Sequence, residues 1–307
     1  MKNDPNKADR IYKTIAVIFA AVIPVMSAAV FLMLAQKSVP SIIAFGPGFL
    51  VRSVWDPVTE IYGALPFIYG TLLSSFIALV IAVPIGLGCA IYLSEVSKSK
   101  FKEYIATMVD MLAAIPSVVY GLWGIFVLGP FLVQYIQPFL GKYLGFIPLF
   151  QGPPMGLSMM TGGVILAIMI LPTITSVSRE ILQVVPNSLR ESAMALGATK
   201  WETVRIAVLP PAVSGIVGGV ILALGRAVGE TMAITMVIGN RPEVSASLFA
   251  PGYTLASVIA NEFAEASSPM NLSAMFEIGL ILLLLTIVIN GLARILIWKI
   301  AGKGLIQ

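Results

Sequence analysis

The sequence has 307 residues, 58% of them hydrophobic and 11% charged, against about 45–50% and 25% in an ordinary soluble domain. It contains no histidine and one cysteine, Cys89, which excludes histidine-based acid–base or metal chemistry and any internal disulfide. A formal net charge of +4 would suit an acidic partner such as nucleic acid, but the basic residues alternate in density between successive loops instead.

Six apolar segments, at about 11–35, 62–94, 104–138, 157–185, 211–238 and 274–299, each reach the ~20 residues that a bilayer-spanning helix needs. They predict an all-α, polytopic membrane protein with one transmembrane domain over 11–300 and short ends at 1–10 and 301–307. The first segment follows MKNDPNKADR, and its apolar run of about 25 residues exceeds the 7–15 of a signal-peptide core, so it reads as a retained helix. With alternating spans, fourteen of the nineteen basic residues, Lys2, Lys98, Lys100 and Arg190 among them, fall on the side of the termini. Lys37, Arg52, Lys142 and Arg241 fall on the other side, and Arg226 lies within a span. The positive-inside rule then places both termini in the cytoplasm.

The outer connections, 36–61, 139–156 and 239–273, are rich in glycine, proline and aromatics (FGPGFL, GKYLGFIPLFQGPPMG, LFAPGYT). They read as ordered turns and interfacial segments rather than a separate ectodomain. Proline and glycine also punctuate the spans, at AVPIGLG (82–88), AAIPSVVYG (113–121) and ILPTIT (170–175). Backbone groups freed by such breaks are tolerated at membrane depth where they are buried in protein or line a wet cavity. Proline is also simply more frequent in transmembrane helices, and for any one of these positions both readings stand.

The inner connection at 186–210 carries strong local signals. Ser188 with Glu191, and Thr199 with Glu202, have the spacing of a capping box, in which hydroxyl and carboxylate each satisfy an orphan amide. Gly197 supplies the left-handed residue that ends a helix, and Pro210 with Pro211 stops the second one. The expectation is a helix-turn-helix over roughly 189–196 and 200–208, with Leu189, Ala193 and Leu196 on one face of the first and Trp201, Val204 and Val208 on one face of the second. Helices this short need a surface to pack on, either this chain's own spans or a partner's groove. The stretch ESAMALGATKWETVRIAVLP (191–210) resembles the EAA loop of ABC-importer permeases, with Glu191, Ala193, Gly197, Leu209 and Pro210 matching and Ser192 and Ala207 departing conservatively. That resemblance implies a type I, MetI-like permease architecture. It also implies a coupling helix that docks on a cytoplasmic ATPase through Glu191, Ala193, Leu196, Gly197, Ala198 and Trp201. For Glu191 itself, capping and partner contact both remain open.

Four charges fall inside the expected spans: Asp110, Arg226, Glu230 and Glu277. A charge at a helix centre costs about 2.5–3.5 kcal/mol on insertion scales. Arg226 and Glu230 are spaced i, i+4 in a continuous fifth helix and so are expected to pair, yet an apolar pair of similar volume would be as stable. Stability alone does not account for them. A guanidinium, with a planar fork of donors and a permanent charge, suits passage of an oxyanion, with Glu230 holding it while empty and limiting how tightly the anion stays. Asp110 and Glu277 lie near span ends, where snorkelling or a headgroup contact explains them. Gly215 with Gly219, and Gly225 with Gly229, give two GxxxG spacings, which let another helix approach, either from this chain or from a second subunit.

Beyond the EAA loop, WDPVTEIYGALPFIYGTL (55–72), AAIPSVVYGLWGIFVLGP (113–130), GRAVGETMAITMVIGN (225–240) and YTLASVIANEFAEA (253–266) are similar to the phosphate-specific, PstC-type permeases. The resemblance implies an importer of inorganic phosphate across the bacterial inner membrane, with Arg226, Glu230 and Thr231 on the substrate pathway. It further implies a PstA-type permease, two PstB-type ATPases and a PstS-type phosphate-binding protein as partners, with lipid around them and no nucleic acid. The sequence contains no G-x-x-x-x-G-K-[ST], so ATP and Mg are expected on the partner ATPase and no cofactor on this chain. Two alternatives remain, a permease for another oxyanion and a proton-coupled secondary transporter using Asp110, Glu230 and Glu277. An intramembrane enzyme lacks every catalytic constellation that would support it.

Overall fold

The computed structural model describes residues 7–97 and 101–304. The ends at 1–6 and 305–307, and Lys98 and Lys100 of the charge pattern, lie outside the described residues. Helices α1 (Lys7–Phe45), α2 (Gly48–Val51), α3 (Leu65–Val96), α4 (Phe101–Ala113), α5 (Ser117–Leu144) and α6 (Met159–Val184) form the first part. Next come α7 (Asn187–Ala195), α8 (Lys200–Gly229), α9 (Met232–Val237), α10 (Leu255–Glu262) and α11 (Pro269–Gly304). Six of these, α1, α3, α5, α6, α8 and α11, are long and apolar enough to cross a membrane.

Helix α6 is the centre of the bundle, and the sequence builds it so. Glycines on one helix receive branched side chains from the next, which is how membrane helices pack without a hydrophobic drive between them. A Cβ on Gly163 would meet Ile77 of α3 at 2.5 Å, and one on Gly86 of α3 would meet Ile174 of α6 at 2.9 Å. On the other flank, Cβ atoms on Gly215 and Gly219 of α8 would meet Ile181 and Val177 of α6 at 2.7 and 2.8 Å. The first GxxxG pair is therefore used within this chain. Around Gly225 and Gly229 there is room: the nearest atom to a Cβ on Gly225 is Oδ1 of Asn290 at 4.0 Å, and nothing lies within 4 Å at Gly229.

The N-terminal end of α6 is held by the loop that follows α9. Its first amides donate to Ala250 O, at 2.9 Å from Met159, and to Leu248 O, at 2.8 Å from Met160. Ser158 caps the next one, Thr161 N, at 3.3 Å, so the orphan donors of this helix start are satisfied as they must be away from water. Nearby, Trp55, Tyr62, Phe67 and Tyr253 form an edge-to-face aromatic cluster, with centroids 4.9 to 5.3 Å apart. Trp55 Nε1 donates to Glu262 Oε2 at 2.8 Å, joining the connection before α3 to α10. These loops are ordered turns with short helices, as their composition suggests.

Several sequence expectations are corrected. The third span does not begin at 104. Pro116 disfavours helix at Ile115, the chain breaks at Ala114–Pro116, and the span is α5. Asp110 therefore sits exposed on the separate amphipathic helix α4 rather than inside a span. The first helix runs on to Phe45, past Lys37. Pro210 and Pro211 do not stop the inner helix, because they occupy the first turn of a helical stretch after a π-turn at Val204–Val208, where a missing N–H costs little. Glu277 does not snorkel: it is 6% exposed where α11 packs on α1 beside Ser41, and its Oε2 has no hydrogen-bond partner among the described residues.

Candidate translocation site

The fifth span, expected to run unbroken to 238, ends at Gly229. Glu230 turns to extended backbone, φ −68° and ψ 128°, and a new short helix starts at Met232. The break relocates the expected ion pair. Glu230 Oε1 accepts from the amide of Ala233 at 3.2 Å, so this carboxylate serves the first turn of α9, where an acidic group is favoured. Among the described residues no carboxylate lies within ion-pair distance of Arg226. Pairing at i, i+4 needs a continuous helix, and these two residues lie on opposite sides of a break.

Among the described residues Arg226 is left with one hydrogen bond, from Nη1 to Thr173 Oγ1 at 3.4 Å. A guanidinium has five N–H donors, so most of this one's capacity is uncommitted. Its place in the last turn of α8 gains about 0.3–1 kcal/mol from the helix dipole, well short of the cost of a charge at membrane depth. Thr173 follows Pro172, which lies inside an α6 that runs unbroken from Met159 to Val184, so the ILPTIT stretch does not break the helix, and nothing in its spacing singles out the hydroxyl. Thr231 Oγ1 donates weakly to Gly229 O at 3.3 Å. Arg226 thus meets Thr173 of α6 in the last turn of α8, four residues before the break at Glu230.

Before the start of α8, α7 begins two residues earlier than its sequence suggests. Pro186 is its N-cap and Ser188 lies inside, its carbonyl accepting from Ser192 Oγ at 2.7 Å. The Ser188–Glu191 capping box is therefore absent, and Glu191 is exposed. The second box is present. Thr199 N donates to Glu202 Oε2 at 2.8 Å while Glu202 N donates to Thr199 Oγ1 at 3.4 Å. Between them Gly197 has φ +85°, the left-handed backbone that ends α7. The expected apolar faces split: Ala193, Val204 and Val208 are buried, whereas Leu196 is 90% and Trp201 61% exposed.

Residues 82–301 match the family described as binding-protein-dependent transport system inner membrane components. The chain belongs to this family. The phosphate transport system permease PstC of Pasteurella multocida is 47% identical over 289 residues, 93% of this chain and 90% of that protein. The PstC of Haemophilus influenzae is 45% identical over 95% of this chain and 93% of its own length. Among solved structures, an inward-facing MetNI methionine ABC transporter superposes with a TM-score of 0.53 at 20% identity, over 82% of this chain and 96% of that one. A bacterial ABC transporter involved in alginate import gives 0.55 at 15% identity, over 94% and 99%. At such identities the likeness is one of fold, the all-α MetI-like permease. This permease is thus a multi-pass inner-membrane transport subunit.

Proposed function

We propose that this permease carries inorganic phosphate from the periplasm or exterior into the cytoplasm, as one transmembrane subunit of an ATP-driven importer. The observation that carries the reading is the state of Arg226: a permanent cation within a membrane-length helix that has, among the described residues, a single long bond to a hydroxyl, next to a helix break. An oxyanion would take the guanidinium fork in charge-assisted bonds, with the hydroxyls of Thr173 and Thr231 at the flanks. Glu230, engaged by the turn of α9, adds a negative charge nearby that keeps the anion from being held too tightly. The names of the PstC relatives support phosphate as that anion.

In this account the termini and α7 face the cytoplasm, as the basic residues favour. The exposed Leu196, Trp201 and Glu191 seat on a PstB-type ATPase, which hydrolyses the ATP; a PstA-type permease completes the membrane pair and a PstS-type protein delivers phosphate to the outer loops. Closing of the ATPase dimer moves α7, the spans open outward, and phosphate passes Arg226. The test is uptake by the purified complex in liposomes, with labelled phosphate and labelled sulfate offered separately. ATP-dependent phosphate accumulation is expected. Preferential sulfate accumulation would replace the substrate, and uptake driven by a pH gradient without ATP would replace the mechanism.

A further inference from the structure

The second arginine of interest is Arg190, which the sequence offers only as one more inner basic residue. In the fold it is the reverse of Arg226: every N–H it owns is used. Nε donates to Glu95 Oε2 at 3.0 Å and one Nη2 hydrogen to Glu95 Oε1 at 2.6 Å, a two-pronged pair. The other Nη2 hydrogen goes to Leu182 O at 2.8 Å, and Nη1 donates to Val185 O and, at 3.3 Å, to Asn187 Oδ1. The two side chains are 16% and 9% exposed.

Those five bonds tie three elements together. Arg190 belongs to α7, Glu95 to the π-turn Tyr92–Val96 that ends α3, and Leu182 and Val185 to the end of α6. Helices α3 and α6 are interlocked through Gly163 and Gly86, and α6 carries Thr173, the hydroxyl that meets Arg226. Nine residues separate Thr173 from Leu182, about 14 Å along the helix at 1.5 Å per residue. Stability is a weak reason for such a pair, since apolar residues of the same volume often serve as well. A guanidinium fork does supply what packing does not: a fixed orientation between two helix ends and a third helix that is attached by short loops.

We propose that Arg190 and Glu95 form the joint through which movement of α7 is delivered to α3 and α6, and so to the Arg226 site. They are positioning residues and touch no substrate. The proposal rests on α7 being the segment that docks on the ATPase. The joint makes α7 move with the ends of α3 and α6 as one body; cutting it lets α7 follow the ATPase while the spans stay behind.

The experiment uses the full complex, permease pair, ATPase and binding protein, in liposomes, and reads ATP hydrolysis and phosphate uptake on the same sample for Glu95→Ala and Arg190→Lys. Assembly with the ATPase at the normal ratio and continued hydrolysis are expected in both, with phosphate moved per ATP reduced at least tenfold in Glu95→Ala and less in Arg190→Lys, which keeps the charge but not the fork. Unchanged phosphate per ATP in both variants would overturn the joint. Failure of both variants to assemble would also overturn it, by assigning the pair to folding alone. Failure of the docking reading looks different: the unmodified α7 would then be dispensable for retaining the ATPase.

Discussion

Replacing Arg226 with glutamine separates a stabilising role from a transporting one, because the structure assigns the two roles opposite signs. Among the described residues the side chain makes one bond, at 3.4 Å, longer than the 2.7–3.2 Å of an ordinary N–H···O bond, so its loss gives up little of the ~1.5–3 kcal/mol of a well-made charged hydrogen bond. Against that stands the penalty of a charge at membrane depth, about 2.5–3.5 kcal/mol. Arg226→Gln is therefore expected to leave the thermal unfolding midpoint unchanged or raise it. The transport cost is far larger. Two charge-assisted bonds to an oxyanion at ~1.5–3 kcal/mol each amount to about 3–6 kcal/mol, and at 1.4 kcal/mol per factor of ten this is about a hundredfold to ten-thousandfold. Initial uptake rates in liposomes, with unfolding followed by scanning fluorimetry on the same preparation, measure both. Uptake within threefold of the unmodified protein, or a midpoint several degrees lower, would refute the reasoning, the second result by showing that Arg226 holds the fold together.

Three further outcomes follow from other parts of the molecule. Gly70→Ala puts a Cβ 2.0 Å from the backbone carbonyl of Tyr253 and should cost about 1–3 kcal/mol or more of overpacking, lowering the yield of folded protein in detergent, whereas Gly229→Ala, with nothing within 4 Å, should leave that yield unchanged. Trp201→Asp should reduce retention of the ATPase subunits on affinity purification at least tenfold while leaving the unfolding midpoint within a degree or two, since the side chain is 61% exposed. Hydrogen bonds from the Thr59 hydroxyl and then the Val58 amide hold the Asp56 carboxyl below its ordinary value of 3.8. A depressed folded-state value means that the turn at Asp56–Ile61 gains its stability above the ordinary carboxyl range and loses it as the pH falls through the lowered value; protection of the Val58 and Thr59 amides, measured against the exchange rate of an unstructured peptide at the same pH, should fall there, and Asp56→Asn should remove the pH dependence of that protection.

The helical class, the number of spans and the turn at Gly197 were legible because each rests on local chemistry: apolar runs of bilayer length, a glycine at a left-handed position, and the Thr199–Glu202 box. What the sequence misled about came from long-range geometry or from prolines with more than one use. Pro116 divides α4 from α5, yet Pro210 and Pro211 start a turn of helix instead of ending one, and nothing local distinguishes them. The i, i+4 spacing of Arg226 and Glu230 predicts a pair only in an intact helix, and GRAVGET gives no proline to mark the break. Ser188 has a capping spacing, but Pro186 takes the boundary first. Thr173 and Glu95 were invisible because their partners lie 53 and 95 residues away, in elements brought alongside only by the packing of α6 on α8 and of α7 against α3.

The central claim is that the Arg226 region opens to water and admits an oxyanion. Its most direct test places a cysteine at Thr231, in a Cys89→Ser background, and follows its reaction with a membrane-impermeant, water-soluble thiol reagent during turnover of the assembled importer. The account predicts modification that is slowed by saturating phosphate. No modification during turnover, or a rate indifferent to phosphate, would contradict it.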